Sequence, residues 1–315
     1  MSDYSGFKGQ TAVLTGAASG FGLECARIAA RAGMQVVMVD VQADALEVAA
    51  VEVQWLASQV DGGGGRGGRV VARRVDVASA AEMEALAAEV QQAFGAPSVV
   101  FNNAGVGSGG LVWENTVKDW EWVLGVNVWG VVHGVRLFTP MMLAAAAADP
   151  QFQGHIVNTA SMAGLLNPPN MGVYNVSKHA VVSLSETLYQ DLALVTDQVH
   201  AHVLCPYFVP TGINQSDRNR PAGLSDADVR PTRSQLIGKA MSDKAVGSGK
   251  VSAADVAAKV FAAMLDRQFY IYSHPRALGP VQTRLEDVVG LRNPTDPFID
   301  RPELGTQLRA ALRAS

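Results

Sequence analysis

Tyr174 and Lys178 stand four residues apart in Tyr174-Asn175-Val176-Ser177-Lys178, and on a helix that spacing puts both side chains on one face. A phenol, with a reference pKa of about 10, is a poor base at neutral pH. A fixed cation beside it stabilises the phenolate and moves the group towards the range in which it can exchange a proton with a substrate oxygen. Ser161 precedes the pair and offers a hydroxyl that can hold the same oxygen as charge develops on it. Tyr-x-x-x-Lys is common by chance in helices, so the pair takes its meaning from the rest of the chain.

An apolar run at 11–15 leads directly into Thr15-Gly16-Ala17-Ala18-Ser19-Gly20-Phe21-Gly22, which opens a helical pattern. Gly16, Gly20 and Gly22 let the backbone turn tightly and approach a pyrophosphate, whose charge is met by free N–H groups at the helix start. The spacing is G-x-x-x-G-x-G, not the commoner G-x-G-x-x-G, but the strand, loop and helix context is the one the mechanism requires. A second run ends in Val39-Asp40, 24 residues after Gly16. A carboxylate there can accept both ribose hydroxyls of an adenosine and would repel a 2′-phosphate, which favours NAD over NADP. Asp40 can equally cap the helix that starts near Gln42.

These groups need elements to hold them. Short, nearly continuous apolar runs at 11–15, 35–39, 69–75, 98–101, 155–159, 200–204 and 269–272 alternate with helical segments at 20–32, 42–59, 79–94, 117–147, 173–196 and 252–266. Runs of this kind suit parallel strands buried on both faces. The last helix has a start signal in Ser252 and Asp255. The alternation predicts an α/β fold, a Rossmann-type doubly wound parallel sheet in a single domain, with ligands bound beyond the carboxyl ends of the strands. The expected organisation is a domain over 1–275 with a lid at 211–249, and a helical C-terminal extension over 276–315. The lid segment is polar, carries Pro221 and Pro231, and reads as a mobile connection. Six of the eight residues at 61–68 are glycine; no strand precedes them, so a helix-to-strand loop is the expected role.

Composition removes other classes. Lys plus Arg number 25 against 29 Asp plus Glu, a net charge of −4, which argues against a nucleic-acid protein; the one dense basic spot is Arg66, Arg69, Arg73 and Arg74. With 48% hydrophobic and 17% charged residues, the chain can bury a large core. His133 and Arg136 interrupt the best apolar stretch, so no membrane span is expected, and the absence of an apolar leader predicts a cytoplasmic protein. Cys25 and Cys205 are expected to be small buried hydrophobes in a reducing compartment. The six histidines have no common ligand spacing, and no metal is expected.

Taken in order, the Thr15-to-Gly22 loop, Asp76-Val77, Asn102-Asn103-Ala104-Gly105, Asn127, Ser161, Tyr174 with Lys178, and the stretch 206–211 make the chain resemble the short-chain dehydrogenase/reductase family over about residues 8–275. The resemblance implies that Gly16, Ser19, Gly20, Phe21 and Gly22 hold the cofactor and that Asp76 and Val77 contact its adenine. Asn103 and Gly105 would line the cofactor cleft, and Val209 and Thr211 would hold the carboxamide end. It further implies that Tyr174 exchanges the proton of a secondary alcohol held by Ser161, that Lys178 lowers the tyrosine pKa and holds a ribose, and that Asn127 anchors a water serving Lys178. A homotetramer or homodimer built on the helices at 117–147 and 173–196 is implied as well.

The family pattern of Pro-Gly after the sixth strand is here Pro206-Tyr207-Phe208. With Met162, Leu165 and Leu166 behind Ser161, this aromatic pair suggests an apolar and bulky alcohol or ketone as the small-molecule substrate, unless these side chains simply pack the core. In the tail, Val281, Leu285, Val288 and Val289 form one apolar stripe and Leu304, Leu308 and Leu312 another. Both are expected to pack on the domain or on a neighbouring subunit. An NADPH-preferring ketone reductase and a non-catalytic dinucleotide sensor are the competing readings.

Overall fold

The computed structural model describes residues 4–60, 68–225 and 230–313. The glycine cluster at 61–67 and the lid positions 226–229 lie outside the described residues. Seven strands form one parallel sheet in the order β3-β2-β1-β4-β5-β6-β7. They are β1 (Thr11–Thr15), β2 (Gln35–Asp40), β3 (Val70–Arg74), β4 (Val99–Asn102), β5 (Gly154–Thr159), β6 (Val199–Cys205) and β7 (Tyr270–Tyr272). The helices are α1 (Gly20–Arg31), α2 (Ala43–Ser58), α3 (Ala80–Phe94), α4 (Val117–Leu124), α5 (Gly130–Ala148), α6 (Gly172–Val195), α7 (Arg233–Gly247), α8 (Ala253–Leu265), α9 (Gly279–Val289) and α10 (Pro302–Arg313).

Strand alternation divides the core. Ala12 and Leu14 of β1 pack with Phe21, Leu46 and Phe261 of α1, α2 and α8, whereas Val13 joins Met83, Phe138 and Leu188 of α3, α5 and α6 on the other face. With both faces covered, each strand must be apolar at successive positions, the physical origin of the runs seen in the sequence. The crossovers from β1 and from β4 leave in opposite directions, and that reversal opens a crevice above the carboxyl ends of these two strands. Gly16 and Asn103 follow directly on β1 and β4 at that edge, and Ser161 is the second residue after β5.

Three local features differ from expectation. The helix expected at 117–147 is interrupted at Gly125–Trp129 by a wider π turn, which re-aims one residue, Asn127, towards the interior. Averaged over 18 residues the 117–148 stretch is apolar enough to cross a membrane, yet Phe138, Met142 and Ala146 are buried beneath the sheet. The lid contains a regular helix, α7, which its low apolar content concealed. Its start signal was present: Thr232 and Gln235 form a reciprocal capping box. Gly238 lets α7 come close, since a Cβ there would lie 3.3 Å from Gly109 Cα.

The tail divides as well. α10 buries Leu308, but α9 exposes Leu285, Val288 and Val289, so the first stripe does not pack on its own domain. Cys25 and Cys205 are buried and unpaired. His155 and His202 meet across β5 and β6, with Nδ1 and Nε2 3.1 Å apart, and burial holds His202 down to about 4. Among the described residues no group of three or more His, Cys, Asp or Glu is arranged to hold a metal ion.

A buried polar ladder joins sheet and helices: Asn102 Nδ2 donates to Asn158 Oδ1 at 2.9 Å, and Asn158 Nδ2 to Ser185 Oγ at 3.0 Å. α5 fits over it only because residue 134 is glycine, where a Cβ would stand 1.9 Å from Asn102 Oδ1. Gly134→Ala is expected to lower the unfolding free energy by about 1–3 kcal/mol, the usual cost of overpacking, measured by urea denaturation; an unchanged midpoint would contradict this account of the ladder.

Candidate active site

The loop after β1 is built by close approaches. Gly16 and Gly20 have φ of +65° and +56°, and a Cβ on Gly22 would fall 2.2 Å from the Gly16 carbonyl oxygen. α1 therefore begins directly over the strand end. Its N-cap residue, Ser19, provides no side-chain cap, leaving first-turn N–H groups and the positive helix end for an anion. Asp40 is 8% exposed. Its Oδ2 accepts from Ala18 N and its Oδ1 from Gln42 N, both at 3.0 Å. The carboxylate thus closes the turn that leads into α2, whose N-cap is Gln42 and has no side-chain cap, and pins the glycine loop.

At β4, Thr15 Oγ1 accepts from Asn103 N at 2.9 Å and from Ala104 N at 3.0 Å. Asn103 Nδ2 donates to Thr15 O at 3.1 Å, and its Oδ1 accepts from Thr159 Oγ1 at 3.2 Å. The ends of β1, β4 and β5 are thereby stitched together, a use of Thr15 that the apolar pattern of β1 does not reveal. Asn127 is fully buried in the π turn; Oδ1 accepts from Val106 N, and Nδ2 donates to Val106 O and Ser177 Oγ. Its side chain clamps the β4–α4 loop to α6. A Cβ on Gly105 would meet Asn127 Oδ1 at 3.3 Å and Lys178 Nζ at 3.5 Å, so these three positions are neighbours.

α6 brings Tyr174 and Lys178 to the end of β5, with Nζ 5.7 Å from the phenol ring centroid. Lys178 is 2% exposed and donates to Thr159 O at 2.9 Å; burial lowers its pKa to about 8. Burial raises the Tyr174 phenol above its ordinary value, and a hydrogen bond with Ser161 opposes that rise. The ammonium expected to depress the phenol is tied to Thr159 instead, so Ser161 is the group acting directly on Tyr174. Ser161 Oγ also accepts from Ala163 N at 3.1 Å.

These residues open on one cleft of about 1550 Å³. Gly16, Ser19, Gly20, Phe21, Asn103 and Gly105 line one part of it. Ser161, Met162, Tyr174, Lys178, Tyr207 and Phe208 line another, with Val209 and Thr211 beside them. Gly22, Asp40, Asp76, Val77 and Asn127 stand behind that wall. Asp76 Oδ1 accepts from Ala78 N at 3.0 Å, and Val77 is buried against Gly130, so only its backbone can address a ligand. Val209 is buried in the core and Thr211 covers Gly20. Of the residues expected around the substrate, Met162 is almost wholly buried, while Tyr207 and Phe208 stay partly exposed with ring centroids 4.4 Å apart. Leu165 is a correction: it packs against the Val181 and Val182 cluster, because the turn after Ser161 directs Leu166 to the cleft instead.

Several cleft residues carried no sequence signal. Asn170, with φ +66°, donates to Ser234 O at 2.9 Å, and Ser234 Oγ accepts from Leu111 N and donates to Glu114. Arg220 pairs with Asp119 at 2.6 Å over the Trp122 ring. The Ser234 contacts seat the lid on the β4–α4 and β5–α6 loops, and Arg220 seats it on α4. The glycine cradle, the uncapped helix start and the partly exposed space beside Ser161 and Tyr174 together fit a dinucleotide with a small molecule at its end.

The chain matches the family model described as short chain dehydrogenase over residues 10–222. It is 30% identical to a CLA biosynthesis dehydrogenase/reductase of Lactiplantibacillus plantarum over 90% of this chain and 94% of that protein. It is 32% identical to a 1-deoxy-11-beta-hydroxypentalenate dehydrogenase of Streptomyces exfoliatus, covering 89% and 88%. Among solved structures, a short chain dehydrogenase/reductase from Burkholderia phymatum in complex with NAD superposes with a TM-score of 0.86 at 47% identity, over 94% of this chain and 99% of that one. Both the arrangement of Ser161, Tyr174 and Lys178 and these likenesses lead to one assignment: the chain is an oxidoreductase of the short-chain dehydrogenase/reductase family.

Proposed function

We propose that the enzyme interconverts a secondary alcohol and its ketone with NAD(H). The observation that carries this reading is the meeting of Ser161 Oγ, the Tyr174 phenol and the Lys178 ammonium in a cleft that also holds the glycine loop. When bound, NAD supplies the acceptor or donor of hydride at its nicotinamide. Gly16, Ser19, Gly20 and the start of α1 would hold its pyrophosphate, Asp40 its ribose and Asp76 with Val77 its adenine. Gly105, Val209 and Thr211 would border the nicotinamide end.

In the oxidative direction Tyr174 Oη takes the alcohol proton, and in reduction it returns a proton to the ketone oxygen. Ser161 Oγ holds that oxygen, orienting it and stabilising charge that develops on it. Lys178, kept at Thr159 O, keeps a positive charge beside the phenol and within reach of a ribose hydroxyl. Asn127 supports this by fixing the Val106 backbone and Ser177, and we assign it the anchoring of a water that serves Lys178.

The partly exposed Tyr207 and Phe208 rings, with Met162 and Leu166, favour a bulky apolar or aromatic substrate. The Streptomyces relative is named a 1-deoxy-11-beta-hydroxypentalenate dehydrogenase, which agrees with a hydroxyl-bearing substrate. We infer a homodimer or homotetramer through α4–α5 and α6, where Trp129, Val176 and Tyr189 expose apolar surface.

An NADPH preference has one observation on its side. Arg218 Nε reaches Gln42 Oε1 at 3.2 Å, bringing a cation near Asp40 that the sequence did not place there. Its NH1, however, is engaged with the Gly212 and Gln215 carbonyls, and the Asp40 carboxylate opposes a 2′-phosphate. The NAD reading is retained.

Tyr174→Phe is expected to bind NADH as the parent does, by fluorescence titration, while turnover on a panel of aryl, alicyclic and steroid alcohols falls by about 10²- to 10⁴-fold; retained turnover would remove Tyr174 from the mechanism. Because burial raises the phenol and oxidation needs its ionised form, oxidation should climb as pH rises through neutrality into the alkaline range. Ketone reduction should decline over the same range, and initial rates with NAD and NADH would show either slope reversed if the assignment is wrong. For Asp40→Ala, the ratio of kcat/KM with NAD to that with NADP should fall about tenfold or more as a like-charge repulsion is lost; an unchanged ratio would count against the ribose role.

A further inference from the structure

The cleft continues past Tyr207 and Phe208 to a wall made by the C-terminal extension. Chain connectivity and packing place α9 there. It follows shortly after β7, His274 in the connection lies edge-on to Tyr207 with ring centroids 5.8 Å apart, and α10 packs on α7. α9 turns Val281, Arg284 and Asp287 inward and leaves Leu285, Val288 and Val289 exposed. A guanidinium thus occupies the side of an amphipathic helix that ordinarily buries an apolar residue.

Of the carboxylates lining the same wall, Glu286 accepts from Gln282 Nε2 at 2.8 Å and Asp296 pairs with Arg309 at 3.6 Å. Asp287 accepts from Arg292 Nε and Thr295 N at 2.9 Å and from Thr295 Oγ1 at 2.8 Å. Lys239 donates to Asn214 O at 3.2 Å and pairs with Asp243, and Arg230 is exposed. Arg284 is different: it is half-buried in the cleft wall, and among the described residues it has no hydrogen-bond or ion-pair partner. A guanidinium drawn partly out of water without a counter-charge is unfavourable by itself. Its planar fork is suited to a carboxylate held through two parallel hydrogen bonds. The same cleft wall carries the apolar surfaces of Tyr207, Phe208, Met241 and Val246.

We propose that Arg284 binds a carboxylate on the substrate, so that the enzyme acts on hydroxy acids and oxo acids whose acid group is separated from the reacting carbon by a bulky apolar body. This deepens the alcohol–ketone reading and rests on it for the chemistry, but its test does not depend on turnover.

Dodecanoate, 4-phenylbutanoate and cholanoate, each beside its primary amide, would be titrated calorimetrically into the NAD-loaded full-length protein and into its Arg284→Gln and Arg284→Lys variants. At least one carboxylate should bind the parent about tenfold to a hundredfold more tightly than its amide, the range of a charge-assisted pair. Arg284→Gln should abolish that difference without altering amide affinity or melting temperature, and Arg284→Lys should restore part of it. The proposal is overturned if no carboxylate exceeds its amide in the parent, or if the preference survives in Arg284→Gln. Failure there with an intact Tyr174-dependent oxidation of neutral alcohols would remove the acid specificity alone; loss of that oxidation would remove the alcohol–ketone reading.

Discussion

An ammonium group with almost no contact with water has to be held by something, and Lys178 is held by the Thr159 carbonyl at the end of β5. That hydrogen bond joins the packing of α6 on β6 and the Asn127–Ser177 and Asn158–Ser185 bonds in fixing where the Tyr174 phenol stands relative to Ser161. Burial works against the charge, as the lowered lysine pKa records. The surroundings therefore have to keep the site shaped around it: Asn127 and Ser177 close one side, and Gly105 is small enough to leave the ammonium room. The cost of the buried charge is the reason these supports are polar and interlocked in an otherwise apolar interior.

A second group of hydrogen bonds carries the same geometry across the sheet. Asn103, just past the end of β4, bonds both Thr15 at the end of β1 and Thr159 at the end of β5, so the glycine loop and the end of β5 cannot shift independently. The Asn102–Asn158–Ser185 ladder lies beneath them and ties α6 to β4 and β5. Cofactor and substrate parts of the cleft are consequently mounted on one rigid support, while the covering elements are joined by fewer contacts. α7 rests on the β4–α4 loop through Gly238 and Ser234, and α10 rests on α7. Rigid support beneath and lighter attachment above suit a cleft whose cover can move while its floor stays fixed.

Much of the framework was legible in the linear chain because it depends on local rules. Parallel strands buried on both faces require continuous apolar runs, and all seven runs became strands with ends shifted by at most a residue or so. The glycine loop was legible because positive φ and close backbone approach leave few alternatives to glycine, and the i, i+4 spacing placed Tyr174 beside Lys178 before any fold was known. The capping box at Thr232 and Gln235 was also legible, and would have located α7 within a segment otherwise expected to be irregular.

What the chain alone determined, then, was the type of sheet and the family to which it belongs, together with the spacing that marks Ser161, Tyr174 and Lys178 as candidates for the chemistry, since period, turn chemistry and spacing are local properties. Tertiary structure decided how those groups are used. It showed that Asp40 already serves two backbone N–H groups, that Lys178 is bonded to Thr159 and not to the phenol, and that Leu166 rather than Leu165 meets the cleft. It also brought Arg218 beside Gln42 and turned Arg284 inward on a helix whose apolar stripe was expected to meet either the domain or a neighbouring subunit. Each of these depends on contacts between residues far apart in the chain, where the partner available in three dimensions, and not the residue type, decides what a charged or polar group does.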